Sequence, residues 1–238
     1  MLQSIHAEIT RQALETHFSA RALTAIIAAN LGQDALSGQF GHDEYHFDNN
    51  AFEKGRGYIE AQRSLLFSSL NDGDAARAWS AFGRLTHAAQ DFYAHSNYVT
   101  LWLARNVDSA QPLTSTIPAP AKIDPVDPAL VTSPDLRSGK LYYPQEAVYF
   151  VPGLRKLALS ILPRDSHAHM NLDSAERGSN FPYAFAAAIK RTQLEFDLLK
   201  TLLAADRFGL FTEFVDREAG KPAKKKNSVP SRPSLLRG

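Results

Sequence analysis

The chain has 238 residues, 26 Lys and Arg against 25 Asp and Glu, and a 44% hydrophobic content. That length and composition suit one large or two small globular domains with a full core, and exclude a disordered or fibrous chain. Cys is absent, which removes disulfides, thiolate catalysis, iron–sulfur clusters and Cys-based zinc sites, so any transition metal must be held by carboxylates and the eight His.

Charge is unevenly placed. From Gly220 to Gly238 there are six basic and no acidic residues, which leaves the first 219 residues with 20 basic and 25 acidic, a net of −5. The basic, Pro- and Ser-rich stretch reads as a disordered tail: a solubilising extension first, and second a contact for phosphate on anionic lipid or nucleic acid. No window approaches the length of about 18 apolar residues that a membrane span needs. The best run, Ala22 to Leu31, is broken by Thr24 and Asn30. Met1 to Thr10 lacks the basic and apolar regions of a secretory signal, which points to the cytoplasm or to export by a route other than Sec.

In chain order, Ile5 to Leu31 carries helical spacing (Ile9, Ala13, Leu14, then Leu23, Ile26, Ile27), with Ser4 as its N-cap. Residues 32–49 are Gly-rich and polar and read as a loop. Ala51 to Leu70 is a second helix, stopped by Asn71-Asp72-Gly73-Asp74; Asp74 caps a third that runs to His95 or on to Ala104. Seven of the 13 Pro lie between Val107 and Gln145, so residues 106–145 form an irregular loop or insertion. Pro152 to Leu162 is a short helix, Arg164 to Pro182 a polar loop, and Tyr183 to Ala205 an amphipathic helix. Only Leu141 to Val151 alternates like a strand. The expected fold is all-α: one multi-helix domain over residues 1–217 and a tail over 218–238.

His87, Asp91 and His95 are the most informative residues. At i, i+4 and i+8 they fall at about 0°, 40° and 80° around a helix, on one face. An imidazole and a carboxylate so placed can reach one ion, and Zn²⁺ accepts both. His169 and Asp173 repeat the spacing, with His167 close by, and His42, His46 and Asp48 form a third group in the first loop. His6 stands at a helix start, and His17 reads as a surface or packing residue. Each spacing alone equally suits solvated or mutually hydrogen-bonded side chains. Together they suit a multinuclear hydrolytic site better than a structural one.

The pattern His6-x-x-Ile9-x-x-x-Ala13, then His46-Phe47-Asp48, then His87-Ala-Ala-Gln-Asp91-Phe-Tyr-Ala-His95-Ser-Asn97 resembles the zinc-dependent phospholipase C superfamily, and most closely its Het-C branch. The resemblance covers residues 5–105 and 165–205. It implies an all-helical fold with a cluster of two or three Zn²⁺ ions in a cleft that cuts phosphodiesters, in phospholipid head groups or, in relatives, single-stranded nucleic acid. It implies the ligands His6, His46, His87, Asp91, His95, His169 and Asp173, with Asp91 bridging two ions. Secreted members also use the amino group of a processed N-terminal Trp, whereas here only Met1 to Ile5 precede His6. They place an Asp ligand between the first two His, for which Asp34, Asp43 or Asp48 could serve, with Asp48 favoured.

The expected activity is zinc-dependent phosphodiester hydrolysis. Asp48 and Asp91 are its catalytic carboxylates, Asp48 as proton acceptor, and Tyr93 and Asn97 orient the ligands through hydrogen bonds. A phospholipid is the favoured substrate over nucleic acid, because the body of the chain is acidic; an anionic membrane surface is a partner for the tail. The alternatives are a non-catalytic interaction or toxin-like protein on the same fold, and a single-strand nuclease.

Overall fold

The computed structural model describes residues 1–35, 38, 41–107, 117–149, 151 and 153–213. The tail expected over 218–238 lies outside the described residues. Within them the fold is all-α. The helices are α1 (Gln3–Leu14), α2 (Ala20–Leu31), α3 (Asp43–His46), α4 (Phe52–Asn71), α5 (Ala75–His95), α6 (Tyr98–Asn106), α7 (Pro128–Val131), α8 (Gln145–Tyr149), α9 (Arg155–Ile161), α10 (His167–Met170), α11 (Phe181–Leu202) and α12 (Ala205–Thr212).

Helix α5 is the axis. Asp74 caps it as its sequence predicts, accepting from the Arg77 amide at 2.9 Å. Helices α2, α4 and α11 pack around it, and every residue from Leu85 to His95 is buried. A helix enclosed on all sides is normally apolar all round. This one instead buries Thr86, His87, Gln90, Asp91 and His95, so each of these groups must find a partner inside the protein.

Two expectations are corrected, those for Ile5 to Leu31 and for Leu141 to Val151. The segment from Ile5 to Leu31 is two helices, because Ser19 turns extended and its hydroxyl caps α2 at the Ala22 amide; Ser4 lies inside α1. Helix α5 stops at His95, the nearer of the two ends expected for it, because Ser96 is extended and bridges to Ser138, and the chain restarts as α6. Leu141 to Val151 contains the helical turn α8 rather than a strand. The described part of the Pro-rich segment is packed onto the body, with Ile123, Leu130 and Leu136 buried; residues 108–116 lie outside the described residues.

Gly83 sets the spacing of α2 and α5. A Cβ there would run into the Ile26 carbonyl oxygen and lie 2.8 Å from Ala29 Cβ. This close approach brings Asn30 of α2 to Thr86 and Gln90 of α5. Gly83→Ala is expected to destabilise the protein by about 1–3 kcal/mol through overpacking against backbone. An unchanged urea midpoint for this variant would show that the two helices are not fixed at that distance.

Candidate metal centre

Asp91 lies at the middle of the domain and is fully buried. Its two oxygens face different groups. Oδ2 is 2.9 Å from His46 Nδ1 and 3.1 Å from His87 Nε2. Oδ1 is 2.5 Å from the Met1 amino nitrogen, 3.1 Å from His6 Nε2 and 3.8 Å from His95 Nε2. Burial alone would raise the Asp91 carboxyl; the Met1 ammonium, His95, His6 and His87 outweigh it and hold the group well below the usual carboxylate range.

His6, Asp34, His87 and Asp91 offer ligand atoms close enough together to hold one metal ion. His87 Nε2 is 3.2 Å from His46 Nδ1 and 3.6 Å from Asp34 Oδ1, besides its approach to Asp91. Metal bonds of zinc type imply tetrahedral edges of about 3.3 Å, close to all of these separations. Burial, helped by neighbouring His6, lowers His87 to about 4, so its ring is neutral near pH 7. Its Nδ1 has no hydrogen-bond partner, and neither has Asp34 Oδ2. A single imidazole proton on Nε2 cannot bond both carboxylate oxygens that face it, whereas a cation can.

His6 is set by a chain of hydrogen bonds. Gln90 Nε2 donates to Thr10 Oγ1 and Thr192 Oγ1, both at 3.1 Å, which turns Gln90 Oε1 toward His6 Nδ1 at 2.6 Å. Asn30, itself held by Thr86, donates to the same oxygen. The His6 proton is thereby placed on Nδ1. Nε2 is left as an unpartnered lone pair pointing at Asp91 Oδ1. Such a partner on the far ring nitrogen is what fixes a metal-ligating imidazole.

The remaining donors lie toward the opening. His95 Nδ1 donates to the His46 carbonyl at 2.9 Å, and its Nε2 lies 3.2 Å from Asp173 Oδ1. Both face the Met1 amino nitrogen, at 3.5 and 3.3 Å. Burial opposes the charge on that amine, yet Asp91, Asp173 and Asp34 raise it to about 11. Asp48 Oδ1 is 3.0 Å from His167 Nδ1 and 3.4 Å from His95 Nδ1. Against the penalty of burial, Asp48 lifts His167 to about 9. These groups line a cleft of about 200 Å³ that Leu2, Leu141 and Tyr143 also border.

A strained turn delivers His46 and Asp48. Phe47, Asn49 and Asn50 all have positive φ, at 58°, 53° and 58°, a conformation uncommon for side-chain-bearing residues. Phe47 is seated in the core against Phe52 and Phe92, in space that Gly55 leaves open.

Residues 2–112 match the family described as the VWA7 N-terminal domain. An 80-residue stretch is 33% identical to von Willebrand factor A domain-containing protein 7 of Rattus norvegicus, covering 34% of this chain. The likeness is to that family. These matches overturn the resemblance to the zinc-dependent phospholipase C superfamily and its Het-C branch. The aligned stretch spans only 9% of the rat protein. No solved structure matches. The matched residues 2–112 contain His6, Asp34, His46, Asp48, His87, Asp91 and His95, while His167 and Asp173 lie beyond them.

Of the residues singled out from sequence, the structure brings together His6, His46, Asp48, His87, Asp91, His95 and Asp173. Four placements differ. His169 points away, its Nε2 on the Leu159 carbonyl at 3.0 Å; the helical turn α10 puts His167 in the cluster instead. Tyr93 and Asn97 do not touch the cluster. Tyr93 donates to the Pro125 carbonyl and Asn97 to the Asp135 carbonyl, which ties the Pro-rich segment to α5 and α6. Asp48 is engaged by His167 and held below the usual range, a poor proton acceptor. Asp34, one of the three alternatives for the Asp ligand, joins the Asp91 group. Sequence reasoning selects neither the Met1 amine nor Gln90; the only signal for Gln90 is its place one residue before Asp91 on α5.

The Gln90 arrangement has a direct readout in metal-free protein. Nitrogen-15 NMR of the imidazoles is expected to find His6 protonated on Nδ1, and Gln90→Leu is expected to move the proton to Nε2 and lower stability by about 1–3 kcal/mol. A His6 already protonated on Nε2 in the wild-type protein would sink this assignment.

Proposed function

We propose that the cleft holds a divalent-cation centre of zinc type and that the protein hydrolyses a phosphodiester there. The observation that carries this reading is Asp91, whose Oδ2 faces the imidazoles of His46 and His87 and whose Oδ1 faces His6, next to an open cleft. His6, Asp34, His87 and Asp91 would hold one cation. His95, Asp173 and Asp91 Oδ1 would hold a second in place of the Met1 ammonium, which lies within 3.5 Å of all three. Four carboxylates, Asp34, Asp48, Asp91 and Asp173, surround the Met1 ammonium and a protonated His167, so the residues alone leave the site negative.

Bound cations of this kind act as Lewis acids toward phosphoryl oxygens and lower the pKa of water. The chain's own residues do the rest. Asp34 borders the cleft with Oδ2 unpartnered, so besides the oxygen near His87 it keeps a second one available to a cation or a proton. The Asp48–His167 pair supplies a fixed N–H and positive charge on the opposite wall. A lipid phosphodiester is favoured over a nucleic acid, because the first 219 residues carry a net charge of −5 and would repel a polyanion.

Purified protein is expected to bind about two zinc ions per chain by elemental analysis and titration. Loss of activity on bis(4-nitrophenyl) phosphate is expected to exceed about a hundredfold in His87→Ala and Asp91→Asn. Parallel assays on phosphatidylcholine and single-stranded DNA separate the substrates. Full activity of folded, chelator-treated protein would overturn the proposal. Stoichiometric metal without hydrolysis of any of the three would make the centre part of a non-catalytic interaction domain.

A further inference from the structure

Between Tyr143 and His167, both on the cleft, the chain makes an excursion built from α8 and α9. It has a small core of its own, Tyr149, Ala158, Leu162 and Ala168. The excursion leaves large apolar groups on its surface: Leu154, just ahead of α9, and Leu157 and Ile161 on it follow i, i+3, i+7 spacing, and Leu157 and Ile161 are each 54% exposed. Tyr143 and Val151 add to them. Five of the eleven exposed large apolar side chains among the described residues fall in this one stretch, which makes it a patch rather than scatter.

Its charge is equally distinct. From Ala147 to Arg164 there is no acidic residue, while Arg155, Lys156 and Arg164 are basic, on a body whose net charge is −5. Short amphipathic helices with an apolar face flanked by cations insert shallowly at bilayer interfaces, and each basic group gains from anionic lipid. We propose that α9 and its flanks dock on an anionic lipid surface, holding the cleft beside the head groups. The docking rests on this patch alone; its consequence, delivery of a lipid phosphodiester to the cleft, rests on the reading proposed above.

The test uses the full chain with chelator present, so that vesicle binding is measured apart from catalysis. Sedimentation with phosphatidylcholine vesicles, with and without phosphatidylserine, is expected to show binding that phosphatidylserine strengthens. Leu157→Asp combined with Ile161→Asp is expected to lower partitioning at least about tenfold, the scale of removing two inserted side chains. Arg155→Glu with Lys156→Glu is expected to abolish the gain from phosphatidylserine only. Both double variants should keep the wild-type circular dichroism and activity on bis(4-nitrophenyl) phosphate. Leu157→Trp provides a second measurement, with quenching of the introduced indole by brominated lipid expected. No vesicle binding by the wild-type protein, equal binding by the Asp variants, or unquenched fluorescence of the Leu157→Trp variant would overturn the proposal. So would a dimer in sedimentation velocity that Leu157→Asp dissociates, since the patch would then belong to a second copy of the chain. Docking without hydrolysis would leave this inference standing and remove the proposed activity.

Discussion

The buried charge of Asp91 is the constraint around which the domain is organised. An isolated carboxylate in a dry interior costs several kcal/mol even after relaxation, and Asp91 is fully buried on a helix enclosed on all sides. Its compensation has to be imported from elsewhere in the chain. His6 arrives on α1, His46 at the end of α3, and the Met1 amine from the segment ahead of α1. Elements distant in sequence are thus fixed around one pair of oxygens, and the hydrogen bonds around Gln90 extend that order outward through Asn30, Thr10 and Thr192.

The Pro-rich segment belongs to this arrangement rather than hanging from it. Asn49 and Asn50 hold left-handed backbone, which Asn tolerates better than most residues, and both use their side chains on residues of that segment. Asn50 exchanges hydrogen bonds with Ser138, its amide donating to the hydroxyl and its Oδ1 accepting from the Ser138 amide. Asn49 Oδ1 accepts from the Leu141 amide. The turn that aims His46 and Asp48 is therefore held from outside by residues 138–141. Those residues are in turn anchored at the break after α5, where the Gly139 amide donates to the His95 carbonyl. The end of α5 at His95 is thus the place where the backbone of the central helix becomes available to clamp the wall of the cleft.

Much of this is legible in the sequence, for identifiable reasons. Helical periodicity and the Asp74 cap are local signals, so they locate α4, α5 and α11 nearly to length. The i, i+4, i+8 spacing of His87, Asp91 and His95 places three site residues on one face, since helix geometry alone decides it. Side chains aimed by tertiary contacts are not legible. His167 and His169 lie two residues apart in a polar stretch, and only the capped turn of α10 decides which of them faces inward. Tyr93 and Asn97 sit within the same helical pattern as the ligands, yet their partners are carbonyls of a segment with no periodicity. The break at Ser96 likewise depends on Ser138, 42 residues away. Family likeness is the weakest guide: motifs spread over residues 5–105 and 165–205 resemble one superfamily, while the family whose model matches residues 2–112 is a different one.

The two halves of the cluster differ in access, and that difference gives the site a direction. His6 and His87 are wholly enclosed, whereas Asp34 and Asp173 keep 11% and 18% of their side chains exposed. Electrostatic interactions strengthen as water is excluded, so the enclosed donors would grip a cation hardest and the exposed carboxylates would meet whatever enters. The Met1 ammonium lies between these halves, touching Asp91 on one side and Asp173 on the other. There the enclosed His6 and His87 give way to the partly exposed Asp34 and Asp173. A centre graded in this way suits chemistry at its rim, because its inner half can remain fixed while the outer half exchanges partners with the contents of the cleft.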